Sequence, residues 1–286
     1  DLSSVSGTVV KVGEVIDTTG FRKPAVVINV EDDEWNDSID TSPDLLRNFS
    51  YSSREIIDKI LEGGIVGMGG ATFPSHVKLT VPEGKKIDTL VINGVECEPY
   101  LTSDHRVMLE RGEEMLTGIK LLKKALGVDQ VLIGIEKNKP DAIEHITQLV
   151  SDEAGIGVYP LKVKYPQGGE KQLIKALLDR EVPSGGLPLD VGVVVHNVGT
   201  ALAVYEAVQK NKPLIERVVT VTGKSLSKPS NFLVRIGTPV GDLIEVAGGL
   251  PEDTGKVVSG GPMMGKALNS LDVPVVKGTS GIQIGR

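Results

Sequence analysis

Four short apolar runs, Thr89–Ile92, Gln130–Ile135, Val158–Val163 and Val191–Val195, do most to limit what this chain can fold into. They are nearly continuous in Val, Ile and Leu rather than alternating apolar with polar, which is the pattern of strands buried on both faces. Helical patterns lie around and between them, over Ser53–Leu61, His105–Leu126, Lys139–Val150, Glu170–Arg180 and Thr200–Gln209. Strands of this kind alternating with helices predict an α/β domain with a mostly parallel, open sheet. Few aromatics (3%) and 34 glycines suit such a sheet with many tight loops.

The flanks have a different texture. Val5 to Val30 reads as short strands around a Thr18-Thr-Gly turn, a small all-β piece. An acidic, polar connector follows from Glu31 to Pro43. After Pro213, Arg217–Gly223, Phe232–Gly237 and Gly255–Gly261 are short strands with glycine turns, and Val240–Ala247 is a helical patch among them. These features predict a small α+β module. A length of 286 residues, at roughly 150 per domain, leads to a similar estimate of about two domains. The chain opens on Asp-Leu-Ser-Ser without an initiator Met and closes abruptly on Gly-Ile-Gln-Ile-Gly-Arg. Both ends read as cuts within a longer protein.

Charge and cysteine content narrow the function classes. The formal net charge is −7, and no basic run interleaved with aromatics stands out, so nucleic acid is not an expected partner. The single cysteine, Cys97, excludes an internal disulfide and an internal four-thiolate cluster. It reads as a small buried residue rather than a nucleophile, since no His partner stands near it in sequence. His76 and His105 have no metal-ligand spacing with other donors, so no metal site is expected in this chain. No apolar run reaches the ~18 residues needed to span a bilayer.

Open α/β sheets bind ligands beyond the carboxyl ends of their strands. Three strand candidates here run into polar residues. Thr89–Ile92 leads into Asn93-Gly-Val-Glu-Cys-Glu98, Gln130–Ile135 into Glu136-Lys-Asn138, and Val191–Val195 into His196-Asn-Val-Gly-Thr200. Asn197 or Thr200 would cap the helix that follows. The stretch Gly63-Gly-Ile-Val-Gly-Met-Gly-Gly-Ala-Thr-Phe-Pro-Ser-His-Val-Lys78 packs five glycines into eight residues. Glycines there permit φ > 0 and expose successive N–H groups, so the backbone could wrap an anion. By glycine content alone a plain loop accounts for it equally well. It has neither the closing Gly-Lys-Ser/Thr of a Walker loop nor the preceding strand of a dinucleotide fingerprint. Glu96 and Glu98 flank Cys97. They read either as acceptors for sugar hydroxyls or as a solvated acidic loop.

Taken together, Gly67–Lys78, Asn93–Arg106, Tyr165–Glu170 and His196–Thr200 resemble the C subunit of the Rnf electron-transport complexes and, more distantly, the flavin-carrying subunit of respiratory complex I. The resemblance covers essentially the whole chain. It implies a barrel-sandwich hybrid fragment over 1–40, an FMN- and NADH-binding α/β domain over 41–211, and a β-grasp SLBB module over 212–270. Residues 271–286 would be a connector to an iron–sulfur domain whose two [4Fe–4S] clusters lie outside this chain. For FMN it implies the backbone of Gly67, Gly69 and Gly70, the side chain of Lys78, and Asn93, Asn197 and Thr200. For NADH it implies Phe73 stacking on adenine and Glu98 and Glu170 near the nicotinamide nucleotide. Met68 and Val95 depart from the complex I pattern, which has an arginine and an aspartate there. The implied function is electron transfer between NAD(H), flavin and iron–sulfur clusters, in ferredoxin:NAD+ oxidoreduction coupled to ion transport. The chain would then be a peripheral subunit on the cytoplasmic side, with membrane-embedded partners and ferredoxin as the ultimate electron source. A related flavin/iron–sulfur cobalamin reductase and a non-catalytic ligand-binding scaffold are the alternative readings. No side chain is expected to act as acid, base or nucleophile, because the flavin carries the reactivity.

Overall fold

The computed structural model describes residues 2–286. The chain divides into two compact units. One consists of Asp40–Cys97 and Asp104–Leu214; the other of the residues through Ile39, Glu98–Ser103 and Ile215–Arg286.

In the second of these, β1 (Gly7–Ile16) and β2 (Arg22–Val30) pair antiparallel as a two-stranded sheet, with a register shift between Val9 and Lys11. The turn is set locally: the Asp17 carboxylate accepts from the Thr19 amide at 2.8 Å, and Gly20 takes φ +82°.

The larger unit carries α1 (Ser53–Glu62), α2 (Ser75–Leu79), β3 (Thr89–Gly94), α3 (Ser103–Glu110), α4 (Gly112–Leu126), β4 (Gln130–Glu136), α5 (Pro140–Leu149), β5 (Ile156–Leu161), α6 (Glu170–Leu178), β6 (Val193–Asn197) and α7 (Val198–Gln209). Its sheet is wholly parallel, in the order β5-β4-β3-β6. Leu90 and Ile92 of β3, with Val131, Ile133 and Ile135 of β4, face one core layer together with α1, α4, α5 and α7. Val91, Leu132, Val193 and Val195 face the other, against Leu173 and Ile174 of α6. Burial on both faces is why these strands lack polar alternation. The helix expected over His105–Leu126 is two helices. Arg111 leaves helical geometry (φ −127°, ψ 29°), and its guanidinium is drawn to Glu114 and Glu206. Gly112 restarts the chain where a Cβ would press to 2.7 Å on Leu149 and 2.8 Å on His145.

The smaller unit continues with β7 (Glu216–Gly223), β8 (Ser230–Arg235), α8 (Val240–Val246), β9 (Lys256–Ser259), β10 (Lys266–Ala267) and β11 (Gly281–Gly285). They form a five-stranded mixed sheet, β10-β9-β11-β7-β8, with Val240, Leu243, Ile244 and Ala247 of the α8 region packed into its core. The expected connector over 271–286 is corrected here. β11 lies between β9 and β7 and buries Ile282 and Ile284, because apolar alternation in Gly-Ile-Gln-Ile-Gly suits a central strand.

α7 is buried along almost its whole length, and α4 crosses it at a small residue. A Cβ at Gly118 would overlap the Ala201 carbonyl. Gly118→Val should therefore cost about 1–3 kcal/mol through overpacking, seen as a lower midpoint in urea unfolding; an unchanged midpoint would contradict this close approach.

Candidate functional site

The order β5-β4-β3-β6 contains a reversal. From β3 the chain builds outward through β4 to β5, then returns to place β6 on the other side of β3. The crevice at the carboxyl ends of β3 and β6 is thus the topological switch point, where ligands bind in open α/β sheets. Asn93 lies near the end of β3 and Asn197 at the end of β6, paired in register.

Asn197 caps α7: its side-chain oxygen accepts from the amides of Gly199 (2.8 Å) and Thr200 (3.3 Å). Its Nδ2 donates to Asp104 at 2.7 Å. One turn into the helix, the fully buried Thr200 hydroxyl accepts from the Met68 amide at 3.0 Å. A bridge between Val66 and Pro74, with Gly67 N donating to Phe73 O at 2.9 Å, closes the glycine stretch into a loop. Asn197 and Thr200 thus seat that loop on the sheet.

Its glycines have separate reasons. Gly64 alone of the five takes positive φ (+63°), so left-handed backbone is not what Gly67, Gly69 and Gly70 supply. A Cβ at Gly69 would press on the Asn197 side chain at 2.9–3.2 Å. At Gly67 the nearest atoms are 3.7 Å away, an ordinary contact, and at Gly70 nothing lies within 4 Å. Neither backbone conformation nor packing within the protein requires glycine at 67 or 70, whereas a bound group lying along that edge would. Met68 is buried in the main core cluster and Val95 in the cluster on the opposite face of the sheet. The two side chains that depart from the complex I pattern therefore pack inward.

Lys78, in α2, donates to Glu170 Oε1 at 2.7 Å and to the Val195 carbonyl at 3.1 Å. The structure pairs a residue expected on phosphate with one expected on the nicotinamide nucleotide, and one of the three ammonium protons remains uncommitted by these bonds. Asn93 Nδ2 donates to Gly168 O at 2.9 Å, and its oxygen accepts from Val95 N at 3.0 Å, tying the Tyr165–Glu170 stretch to the end of β3. Phe73 is half exposed. Glu98 belongs to the other unit, where its carboxylate accepts from the amides of Met263 and Met264.

Two groups matter more than the sequence suggests. Glu96 accepts from the amides of Asp104 (3.1 Å) and His105 (3.2 Å) at the start of α3, and burial together with the nearby Asp104 pushes its carboxyl pKa up. His196 is fully buried, its Nε2 has no hydrogen-bond partner, and burial with the Lys78 charge lowers its pKa to about 3. It is neutral at physiological pH. Asp104 is not evident from sequence, because its partner Asn197 is 93 positions away. Ser-Asp at a helix start is the only local signal. Among the described residues no group of three His, Cys, Asp or Glu side chains is placed to hold a metal ion. No helix among them is long and apolar enough to cross a membrane.

The family described as the Nuo51 FMN-binding domain matches residues 60–206, and the SLBB domain family matches 218–267. The chain is 49% identical over 283 residues to the C subunit of the proton-translocating ferredoxin:NAD(+) oxidoreductase complex of Clostridium ljungdahlii, covering 98% of this chain and 61% of that protein. It is 47% identical to the C subunit of the Na(+)-translocating complex of Acetobacterium woodii, covering 98% of this chain and 63% of that protein. It is 44% identical to the C subunit of an ion-translocating oxidoreductase complex of Rhodobacter capsulatus, covering 97% and 53%. The chain thus spans less than two thirds of these relatives. In fold it is similar to a chain of the NAD+-reducing [NiFe]-hydrogenase in its air-oxidized state, with a TM-score of 0.67 and 20% identity over 82% of this chain and 46% of that one.

Two outcomes test this geometry. Thr200→Val removes the hydroxyl that accepts from the Met68 amide and should cost about 1 kcal/mol in chemical denaturation, while Thr200→Ser keeps most of the stability; equal stability of Val and Ser variants would contradict the pinning bond. Unfolded His196 regains its ordinary pKa of 6.5, so between about 3 and 6.5 the unfolded chain binds a proton that the native one excludes. Stability should therefore fall as pH is lowered through that window. His196→Asn should make the urea midpoint less pH-dependent there; an unaltered pH slope would show that His196 is not buried neutral.

Proposed function

The chain belongs to the family of the Nuo51 FMN-binding domain, and from that premise we propose that it binds FMN at the β3/β6 switch point and NAD(H) beside it, as the redox subunit of a ferredoxin:NAD+ oxidoreductase complex. The observation that carries this reading is the glycine edge at Gly67 and Gly70, which nothing inside the protein requires. Its seat on Asn197 and Thr200 supports the same conclusion.

FMN, when bound, supplies hydride acceptance from NADH and the release of electrons one at a time, chemistry that the protein itself need not provide. The chain supplies position and charge. The backbone of Gly67, Gly69 and Gly70 approaches the phosphate and ribityl chain without obstructing Cβ atoms. Thr200 and Asn197 keep that backbone fixed by engaging Met68 and the start of α7. Lys78 adds positive charge whose strength is tempered by Glu170, and Asn93 holds the stretch that carries Glu170. Phe73 offers a half-exposed ring for adenine, and Glu170 offers carboxylate oxygens to hydroxyls of the nicotinamide nucleotide.

The relatives' names support membership of a multi-subunit complex; the finer setting is what the family resemblance implies. We propose other subunits of an ion-translocating complex as partners, some of them membrane-embedded, and ferredoxin as the ultimate electron source. The position is peripheral, on the cytoplasmic side of the membrane. The electron exit is through two [4Fe–4S] clusters outside this chain.

FMN added to the purified chain should give a flavin spectrum that NADH bleaches. Lys78→Ala should raise the Kd for FMN roughly ten- to hundredfold, the worth of a hydrogen bond to a charged group. Unchanged FMN affinity in that variant would remove Lys78 from the site.

A further inference from the structure

In the larger unit, β5 is an edge strand with only β4 beside it. Val131 N donates to the Gly155 carbonyl at 2.8 Å and Lys137 N to the Leu161 carbonyl at 2.9 Å. Backbone groups alternate along a strand, so Gly157, Tyr159 and Leu161 turn theirs toward β4 while Val158, Pro160 and Lys162 turn theirs outward. Proline at the middle outward position has no N–H to give, which blocks the addition of another strand there. The edge still presents side chains. Tyr159, Val163 and Tyr165 are 41%, 55% and 38% exposed. Lys137, Lys162 and Lys164 are exposed around them. The Lys137–Leu161 bond sets Lys137 beside Lys162, and the Lys164 amide faces the Glu136 carboxylate at the end of β4. None of these three lysines holds an ion pair among the described residues. The carboxylates on the same stretches are already engaged: Glu136 is buried and faces Lys139, Asp141 bonds to His105, and Glu170 bonds to Lys78. In a chain of net charge −7 this edge is a positive, partly apolar spot.

We propose that this end of the β5 edge is a docking surface for an acidic face of another protein, with Tyr159, Val163 and Tyr165 at its centre and the three lysines at its rim. Exposed tyrosines beside an aliphatic residue are what the core of a protein interface uses, and rim charges set the rate and register of encounter. Unpaired lysines select a partner rich in Asp and Glu. Pro160 restricts the contact to side chains, because the partner cannot extend the sheet. Nucleic acid is disfavoured: it is held by a run of phosphate contacts along a basic face, which three lysines on one edge do not provide. An anionic membrane is disfavoured too, since three lysines without an amphipathic helix or a lipid chain give only marginal attraction. The surface lies at the carboxyl end of the sheet, two strands or about 10 Å from β3. The same stretch is tied to β3 where Asn93 Nδ2 donates to Gly168 O at 2.9 Å. A partner seated here is therefore beside the β3/β6 crevice, and the surface exists whatever that crevice binds.

The test uses the full chain and, as probe, a fluorescently labelled copolymer of glutamate and tyrosine, which carries acidic and aromatic groups together. The unaltered chain should bind it saturably in an anisotropy titration. The double variant Lys162→Glu/Lys164→Glu should bind at least roughly tenfold more weakly, the effect of two exposed ion pairs lost and reversed. Lys224→Glu/Lys228→Glu makes the same change of charge on exposed lysines of the smaller unit and should stay within about twofold. Val163→Ser keeps every charge and should weaken binding about three- to fivefold through the apolar centre. A readout that needs no variant is acetylation of the unaltered chain followed by mass spectrometry. The probe should protect Lys137, Lys162 and Lys164 and leave Lys224 reactive. Equal weakening by the two charge reversals, or protection spread evenly over the lysines, would overturn the proposal. Absence of saturable binding would do the same. Tighter binding of an oligothymidylate, or of vesicles containing phosphatidylserine, at equal ionic strength would assign the surface to nucleic acid or membrane instead and also overturn it.

Discussion

The capping of α7 by Asn197 is the interaction on which the site depends. Its side-chain oxygen meets two amides that the helix start would otherwise leave unpaired. Its Nδ2 fastens Asp104, and its flank sets how closely Gly69 approaches. One turn later Thr200 takes the Met68 amide, so a strand end, a helix start and a loop more than 130 residues away in sequence are fixed as one piece. A parallel sheet with a switch point provides the crevice. The cap and the threonine decide that the glycine loop, and not another loop, lies over it.

That arrangement separates two kinds of glycine. Gly69 and Gly118 are small because protein atoms press on them; Gly67 and Gly70 are small where the protein leaves room. Only the second kind argues for a ligand. The Lys78–Glu170 pair modifies the electrostatics of the same crevice, since the cation meets a carboxylate before any phosphate arrives. His196, buried and neutral beside Lys78, adds no second positive charge. The positive side chain of this crevice is thus a single, partly compensated lysine.

The α/β core is legible in the sequence because β3, β4 and β6 are buried on both faces; β5, at the sheet edge, exposes Tyr159 and Pro160, so the two-sided burial expected over Val158–Val163 fails there. β3 and β4 lie within two residues of the expected spans, while β5 and β6 are offset by about two. What the sequence conceals depends on contacts between distant positions. The break at Arg111–Gly112 arises from ion pairs and a close approach to α5, with no proline to signal it. β11 reads as a connector in isolation, because five residues of Gly-Ile-Gln-Ile-Gly carry little signal until β7 and β9 flank them. The residues proposed for the site come from family motifs, and their pairings are not legible in the sequence. Lys78 with Glu170, Asn197 with Asp104 and Glu98 with the Met263 and Met264 amides each join positions more than ninety residues apart. Met68 and Val95, which depart from the complex I pattern in sequence, are core side chains in the fold.

The central claim is that the loop over the β3/β6 crevice binds a flavin by its phosphate. Parallel fluorescence titrations of the purified chain with FMN and with riboflavin, which lacks the phosphate, test it most directly. The account predicts saturable quenching by FMN and at least roughly tenfold weaker binding of riboflavin, the loss of charge-assisted hydrogen bonds from the loop and Lys78. Equal affinity for the two, or no binding of either, would contradict it.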